Sequence, residues 1–407
     1  MHTEQAGRQM MPKVDERPAS SVHDHLSAEL LLTSDCNMAC SYCIARWLPK
    51  GTLSIEDGRK AIDLFIWLAE GASFVEITFT GGEPLLVFPV TERLISHAVA
   101  LTRAAGMNAA FIVKTNGTIM SQVVRAFMRE HRIKVVVSID GSAIVHDRHR
   151  ITKQRCRTHS VVLENLKVLM QDDVECVASI TVHPDDCGAL TDSVRQLHES
   201  GIEQIDVGPA YGTVHWSEAD TDTFLASLLD IARYMRQVRS SGGKLEVGPM
   251  YRGTEHVGGV LKDSWGCHAA STNVAFMPNG QIAGCSSLAM LAARYPELII
   301  GDIASGVNSE AVERFLELAQ AGVQQRPDCQ CCATGPNCTG GCLAINLSQN
   351  DEPFSAPQFY CRTMSMIPAA WKYAWDGEIS VQRADQEGNQ RLQQTPAGDV
   401  LKAAPEE

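Results

Sequence analysis

The sequence predicts an α/β fold built on a parallel sheet, and three observations predict it. Short β-branched runs alternate with longer stretches of helical periodicity, strand then helix, six times over between residues 28 and 208, an order that specifies parallel βα units. Several of the helical stretches stop at glycine, the usual punctuation of a helix end. No run approaches the ~18 uninterrupted apolar residues of a membrane span, and the longest apolar stretches, such as "KVVVSID", have strand length. The pattern fits either an open doubly wound sheet or part of a (β/α) barrel.

Taken in order, "AELLLTSD" (28–35), "FVEITFT" (74–80), "AFIVKT" (110–115), "IKVVVSID" (133–140), "VECVASITV" (174–182) and "IEQIDVG" (202–208) read as strands. Between them "EDGRKAIDLFIWLAEG", "VTERLISHAVALTRAAG", "SQVVRAFMREHR", "HSVVLENLKVLMQ" and "LTDSVRQLHESG" carry helical periodicity, and residues 217–243 form a long helix ending at a glycine pair. From about residue 244 the rhythm breaks: glycine, proline and cysteine rise, and only short helices such as 309–322 remain. The expected organisation is a flexible segment over 1–27, an α/β domain over 28–243, a cysteine-rich domain over 244–380 and a polar, disordered tail over 381–407.

Composition narrows the function classes. A net charge of −13, with no basic patch interleaved with aromatics, argues against a nucleic-acid partner. The polar N-terminus lacks the apolar segment of a secretory signal, so the expected location is the cytoplasm, with no membrane association. In such a chain, fourteen clustered cysteines point to metal rather than disulfides. Three lie at 36–43 and eight at or beyond 267; Cys156, Cys176 and Cys187, between them, read as buried small hydrophobes.

Cys36, Cys40 and Cys43 form C-x3-C-x2-C directly after the first strand. A structural zinc calls for a fourth protein ligand, and iron–sulfur cubanes usually take four cysteines. A site left one ligand short suits an exchangeable group. Loops at the carboxyl ends of parallel strands are also where such sheets place their chemistry.

This spacing, with Tyr42 before the last cysteine, resembles that of the radical S-adenosylmethionine (SAM) enzymes. The resemblance implies a partial (β/α)6 TIM-type barrel, followed by a mostly irregular iron–sulfur domain. It implies a [4Fe-4S] cluster on the three thiolates, whose fourth iron chelates SAM; reductive cleavage then yields a 5′-deoxyadenosyl radical that removes a substrate hydrogen. "TFTGGEPLL" matches the family's GGE motif at Gly81, Gly82 and Glu83. There the glycines would allow close backbone approach to a ligand and Glu83 would accept from an ammonium group; the alternative is a plain strand-to-helix turn. "VKTNG" and "VSIDG" end the third and fourth strands and resemble turns around the SAM pocket, making Asn116, Ser138 and Asp140 candidates, with turn geometry as the alternative. "HDRHR" carries His146, Asp147 and Arg150; Arg150 is the candidate partner of a carboxylate, with a surface ion pair as its alternative.

The later cysteines run Cys267-x12-Gly280-x4-Cys285, then Cys329-x2-Cys332-x5-Cys338-x3-Cys342, then Cys361. All seven positions resemble the SPASM extension of radical SAM peptide-modifying enzymes. The resemblance implies one auxiliary [4Fe-4S] cluster on Cys329, Cys332, Cys338 and Cys361, and a second site on Cys267, Cys285 and Cys342. Its fourth position is either open or filled by Asp263, His256 or His268. Cys331 is surplus. A zinc ribbon is the alternative for the C-x2-C-x5-C-x3-C segment.

The resulting expectation is a maturase acting on a ribosomally made peptide or protein side chain, by crosslink, thioether or oxidation. Its expected partners are the precursor peptide or protein, a separate peptide-recognition protein (the lead-in being too short for a recognition domain) and an electron donor such as flavodoxin or ferredoxin. Formylglycine formation of the anaerobic sulfatase-maturase type is the alternative, disfavoured because Ser286 stands where those enzymes carry an acid and because the extra upstream cysteine is missing. A non-enzymatic iron–sulfur electron carrier is the third reading, and it gives the GGE, TNG and SIDG turns no use. No residue stands out as the catalytic acid or base.

Overall fold

The computed structural model describes residues 25–250, 268–319, 329 and 341–376. Most of the lead-in, the tail and Cys267, Cys331, Cys332, Cys338, His256 and Asp263 lie outside the described residues. The strands are β1 (His25–Thr33), β2 (Phe74–Gly81), β3 (Asn108–Thr115), β4 (Lys134–Ser138), β5 (Cys176–Val182), β6 (Gln204–Pro209), β7 (Glu246–Gly248), β8 (Asn273–Phe276), β9 (Gln281–Ala283), β10 (Ile299–Asp302) and β11 (Gly306–Val307). The helices are α1 (Ile55–Leu68), α2 (Phe88–Ala104), α3 (Gln122–Glu130), α4 (Ala143–His149), α5 (His159–Gln171), α6 (Leu190–Glu199), α7 (Glu218–Ser240), α8 (Ser286–Ala289), α9 (Ser309–Ala319), α10 (Leu343–Asn350) and α11 (Gln358–Asp376).

A parallel strand covered on both faces needs a continuous apolar run. Leu30, Leu31 and Leu32 supply it and are fully buried in β1, each side chain worth ~1.5–3 kcal/mol of burial. Contacts divide the described chain into two compact units interleaved in sequence. The first holds residues 25–36, 45–113 and 268–318. In it β1, β2 and β3 pair in parallel. α1 starts where Ser54 Oγ accepts the Asp57 N–H at 3.0 Å, a cap worth ~1 kcal/mol. The stretch Pro84–Ala104 is long and apolar enough to cross a membrane by length and composition, yet α2 is amphipathic and buries Thr91, Leu94, Ile95, Ala98 and Thr102.

On the other edge of β1, β8 pairs in parallel, and β9, β10 and β11 continue antiparallel. Residues 268–318, which the sequence assigns to a mostly irregular domain, thus supply strands to the sheet of β1. The reason is local: "NVAF" is a short apolar run whose Ala275 and Phe276 are fully buried.

The second unit holds residues 37–44, 114–250 and the described residues from 319 onward. Its sheet runs β4-β5-β6-β7, all parallel. α7 begins with a reciprocal cap between Ser217 and Asp220. α11 packs on α7: Arg239 Nη1 donates to the Ala374 carbonyl at 2.9 Å, and its guanidinium lies 4.1 Å from the centre of the Trp375 ring. Sequence periodicity gave no sign of this long helix, which carries Pro368 in its interior.

The middle cysteines divide. Cys187 is buried and Cys176 partly so, and burial pushes their thiols up to about 11 and about 12. Cys156, expected in the core, is exposed. It sits in a tight hairpin closed by pairing of Ile151 with Arg157 and by the Thr152 N–H to the Cys156 carbonyl at 3.0 Å.

Candidate active site

In the first unit the site begins where two strands end level. Thr33 of β1 pairs with Gly81 of β2. The Gly82 N–H donates to the Thr33 carbonyl at 2.7 Å, and the Glu83 N–H to the Asp35 carbonyl at 2.8 Å. Gly81 has φ +124°, and a Cβ on Gly82 would lie 2.2 Å from the Asp35 carbonyl oxygen. The two glycines therefore do allow a close approach, but the backbone they admit is the chain's own, leading into Cys36. Glu83 is fully buried, and its Oε1 accepts the Leu85 N–H at 3.0 Å, capping the short turn Pro84–Val87. Gly82→Ala forces a methyl against that carbonyl. The expected cost is ~1–3 kcal/mol of stability, read by urea unfolding, together with a lower iron content after reconstitution because Cys36 moves with Asp35.

In the second unit, residues 37–44 are tied down at nearly every step. Asn37 closes a ring with the TNG turn: Asn116 Nδ2 donates to Asn37 Oδ1 at 2.8 Å, and Asn37 Nδ2 donates to Thr118 Oγ1 at 2.8 Å. Asn116 Oδ1 completes it, accepting the Thr118 hydroxyl at 2.6 Å. Met38 bridges Thr152, and the Ala39 N–H donates to the Ile151 carbonyl at 2.8 Å. The Ser41 N–H donates to the His149 carbonyl at 3.1 Å. Ser41 Oγ lies 2.7 Å from His149 Nδ1, whose Nε2 lies 2.6 Å from Asp186 Oδ2. A carboxylate can only accept, so Nε2 carries a proton toward Asp186.

Tyr42 is held by a buried pair. Its hydroxyl donates to Asp140 Oδ2, and Arg150 Nε stands 2.9 Å from the same oxygen, an ion pair without the angle of a linear hydrogen bond. The Arg150 guanidinium lies 5.3 Å from the centre of the Tyr42 ring. Asp140 Oδ1 accepts the Thr181 N–H at 2.9 Å. Burial and the Asp140 carboxylate raise the Tyr42 hydroxyl well above its usual value, against the opposing charge of Arg150. Burial penalises the Arg150 cation most, yet Asp140 holds it above the ordinary arginine range. Arg150, expected to grip a ligand's carboxylate, thus has its charge taken up by Asp140. Asp140 in turn is 1 % exposed. Ser138, half-buried at the end of β4, pairs in register with Ser179.

His146 stands behind this pair. Its Nδ1 accepts the Asp140 N–H at 3.2 Å, and Nε2 lies 3.0 Å from Thr158 Oγ1, which itself donates to the Arg150 carbonyl at 2.7 Å. Burial, then the nearby Arg150 charge, lowers its pKa to about 3. The unfolded chain takes up this proton near pH 6.5 and the folded chain does not until about pH 3. Stability therefore falls as pH drops through that window. His146→Gln is expected to lose that part of the acid sensitivity, measured as unfolding free energy against pH.

Asn37, Ser41, Thr118, His149, Thr181 and Asp186 escaped sequence reasoning. Asn37 and Ser41 carried the available signal, being hydrogen-bonding residues inside the cysteine loop itself.

Of the later cysteines, Cys285 and Cys329 are half-buried and Cys361 is exposed. Cys342 caps α10, and burial raises its thiol above the usual value. His268 is exposed.

The donor set suits a cluster. Cys36, Cys40 and Cys43 offer partly exposed thiols on a preorganised loop. Among the described residues no three His, Cys, Asp or Glu side chains stand close enough to grip one metal ion; in an iron–sulfur cluster each thiolate binds a separate iron. A parallel α/β sheet with a three-thiol loop after its first strand offers three ligands for a metal cluster where such sheets place their chemistry.

Comparison with known proteins specifies it further. Residues 30–188 match the model of the Radical SAM superfamily. The chain is 24% identical over 359 residues to the serine-type anaerobic sulfatase-maturating enzyme of Klebsiella aerogenes, covering 85% of this chain and 86% of that one. It is 24% identical over 177 residues to the sporulation killing factor maturation protein SkfB of Bacillus subtilis, covering 43% and 40%. The fold is similar to that of anSMEcpe with bound AdoMet, at TM-score 0.71 and 17% identity, covering 87% of this chain and all of that one. Residues 30–188 are thus a radical SAM domain, and the chain that carries it is an enzyme. Its cofactors are SAM and a [4Fe-4S] cluster.

Proposed function

We propose that this chain is a cytoplasmic maturase that modifies a side chain of a ribosomally made peptide or small protein. Bound together, the cluster and SAM supply a 5′-deoxyadenosyl radical that removes a substrate hydrogen. Cys36, Cys40 and Cys43 hold the cluster. The turns Gly81–Glu83 and Asn116–Thr118 fix the approach to those cysteines, and Ser138 faces the ligand. Asp140 and Arg150 act through Tyr42, keeping its ring in place beside Cys43. Cys285, Cys329, Cys342 and Cys361, with Cys267, Cys332 and Cys338, would hold auxiliary clusters, which would supply an acceptor for the electron left after hydrogen removal.

The observation that carries this reading is the cysteine loop, pinned by backbone and side-chain bonds on both sides of Cys40. Its relatives support a peptide substrate: SkfB matures a sporulation killing factor, and SuiB of Streptococcus suis, whose fold is similar at TM-score 0.56, has been solved bound to its precursor peptide SuiA. The length of the match to the sulfatase-maturating enzyme favours formylglycine formation as the second reading.

The test is to incubate reduced, reconstituted protein with SAM and either a short peptide encoded beside its gene or a sulfatase-type peptide. Formation of 5′-deoxyadenosine with a mass change in the neighbouring peptide supports the maturase. An aldehyde at Ser or Cys of the sulfatase peptide selects the second reading, and no 5′-deoxyadenosine under any condition overturns both.

A further inference from the structure

We propose that the loop Lys153–Arg157 is the docking face for an acidic one-electron carrier protein serving the cysteine loop. The inference rests on the reading that Cys36, Cys40 and Cys43 hold a cluster that must be reduced from outside. Its basis is a local inversion of charge. On a chain of net charge −13, Lys153, Arg155 and Arg157 put three cations into five exposed residues. None of the three has an ion pair among the described residues. Their neighbours differ: Arg148 pairs with Asp186 and Arg150 with Asp140. The nearest acid in sequence, Asp147, is turned inward, its Oδ1 accepting the Thr158 and His159 N–H groups at 2.9 Å.

Position adds the second half of the argument. The Lys153 N–H donates to the Asn37 carbonyl at 3.1 Å, and Thr152 bridges Met38. The hairpin is thus bonded directly to Asn37 and Met38, the residues that lead into Cys40. The chemistry of the surface favours a redox partner over the peptide substrate. Transient electron-transfer encounters are small and charge-steered. Peptide recognition relies on pockets and apolar anchors, and residues 153–157 supply no aromatic or aliphatic side chain. None of them lines the cavity of about 380 Å³ bordered by Trp216 and Phe359. In the step served, one electron leaves the carrier's reduced cofactor and enters the cluster, so the carrier is oxidised by one unit and the cluster reduced by one.

The test compares the native chain with Lys153→Gln, Arg155→Asn and Arg157→Gln combined; Asn suits position 155, where φ is +62°. Flavodoxin is the carrier used. Binding to iron-free protein is expected to weaken ~10-fold at low salt, and reduction of loaded protein by reduced flavodoxin to slow by a similar factor, both differences vanishing at ~0.5 M salt. Reduction by titanium(III) citrate and thermal stability should stay unchanged. Equal flavodoxin binding by both proteins overturns the proposal, as does a raised peptide KM with flavodoxin binding unaltered. If titanium(III) citrate reduces no iron–sulfur centre in the native chain, the cluster assignment fails, and the iron-free binding comparison still decides the loop.

Discussion

Cys40→Ser is expected to abolish 5′-deoxyadenosine formation while the fold survives. Three thiolates are the fewest that leave the cluster one open iron, and a hydroxyl at position 40 removes one of them. The fold should persist because bonds other than those of its thiols hold the loop. Asn37 is closed into the Asn116–Thr118 ring, Ala39 and Ser41 donate to the Ile151 and His149 carbonyls, and Tyr42 is anchored to Asp140. Iron and sulfide should fall by one cluster's worth and not to zero, with unfolding by urea little changed. A variant that keeps both SAM cleavage and a full iron count would remove Cys40 from the site. Retained iron with lost cleavage would assign it a different role.

Arg150→Met should be the most destabilising single change in the second unit. It leaves the Asp140 carboxylate buried without its cation, a loss of ~3–5 kcal/mol. Asp140→Asn strands Arg150 in the same way. Because the two share one interaction, the double variant should cost well under the sum of the singles. Urea unfolding of all four proteins measures that coupling. A double variant equal to the sum would mean that the pair does not interact in solution. Tyr42 loses both the cation over its ring and the order of its hydroxyl's partner, so the surviving folded protein should also bind SAM more weakly.

The alternating strands and helices were legible because each β-branched run and each amphipathic helix carries its own periodicity. The six strands expected between 28 and 208 correspond to β1–β6, and the helix expected at 159–171 is α5. Position of the cysteine loop followed from the same rhythm. Pairing was not legible. Nothing local in "DRHR" says that Arg148 reaches Asp186 while Arg150 turns to Asp140, because those partners lie 38 and 10 residues away and only the packed sheet brings them near. The same holds for β8, four residues whose place beside β1 is set by tertiary contact. Gly82 was expected to admit a ligand close to its backbone; what the structure places there is the Asp35 carbonyl, a neighbour that nothing local in "TGGE" announces.

The main-chain donors of Ala39, Ser41 and Cys43 are all spent, on Ile151, His149 and Cys40. Because the bond from Ala39 asks nothing of its exposed side chain, position 39 is open to drift among distant relatives provided the amide hydrogen is kept. Proline is the one residue that lineage cannot sample there without unfastening the loop.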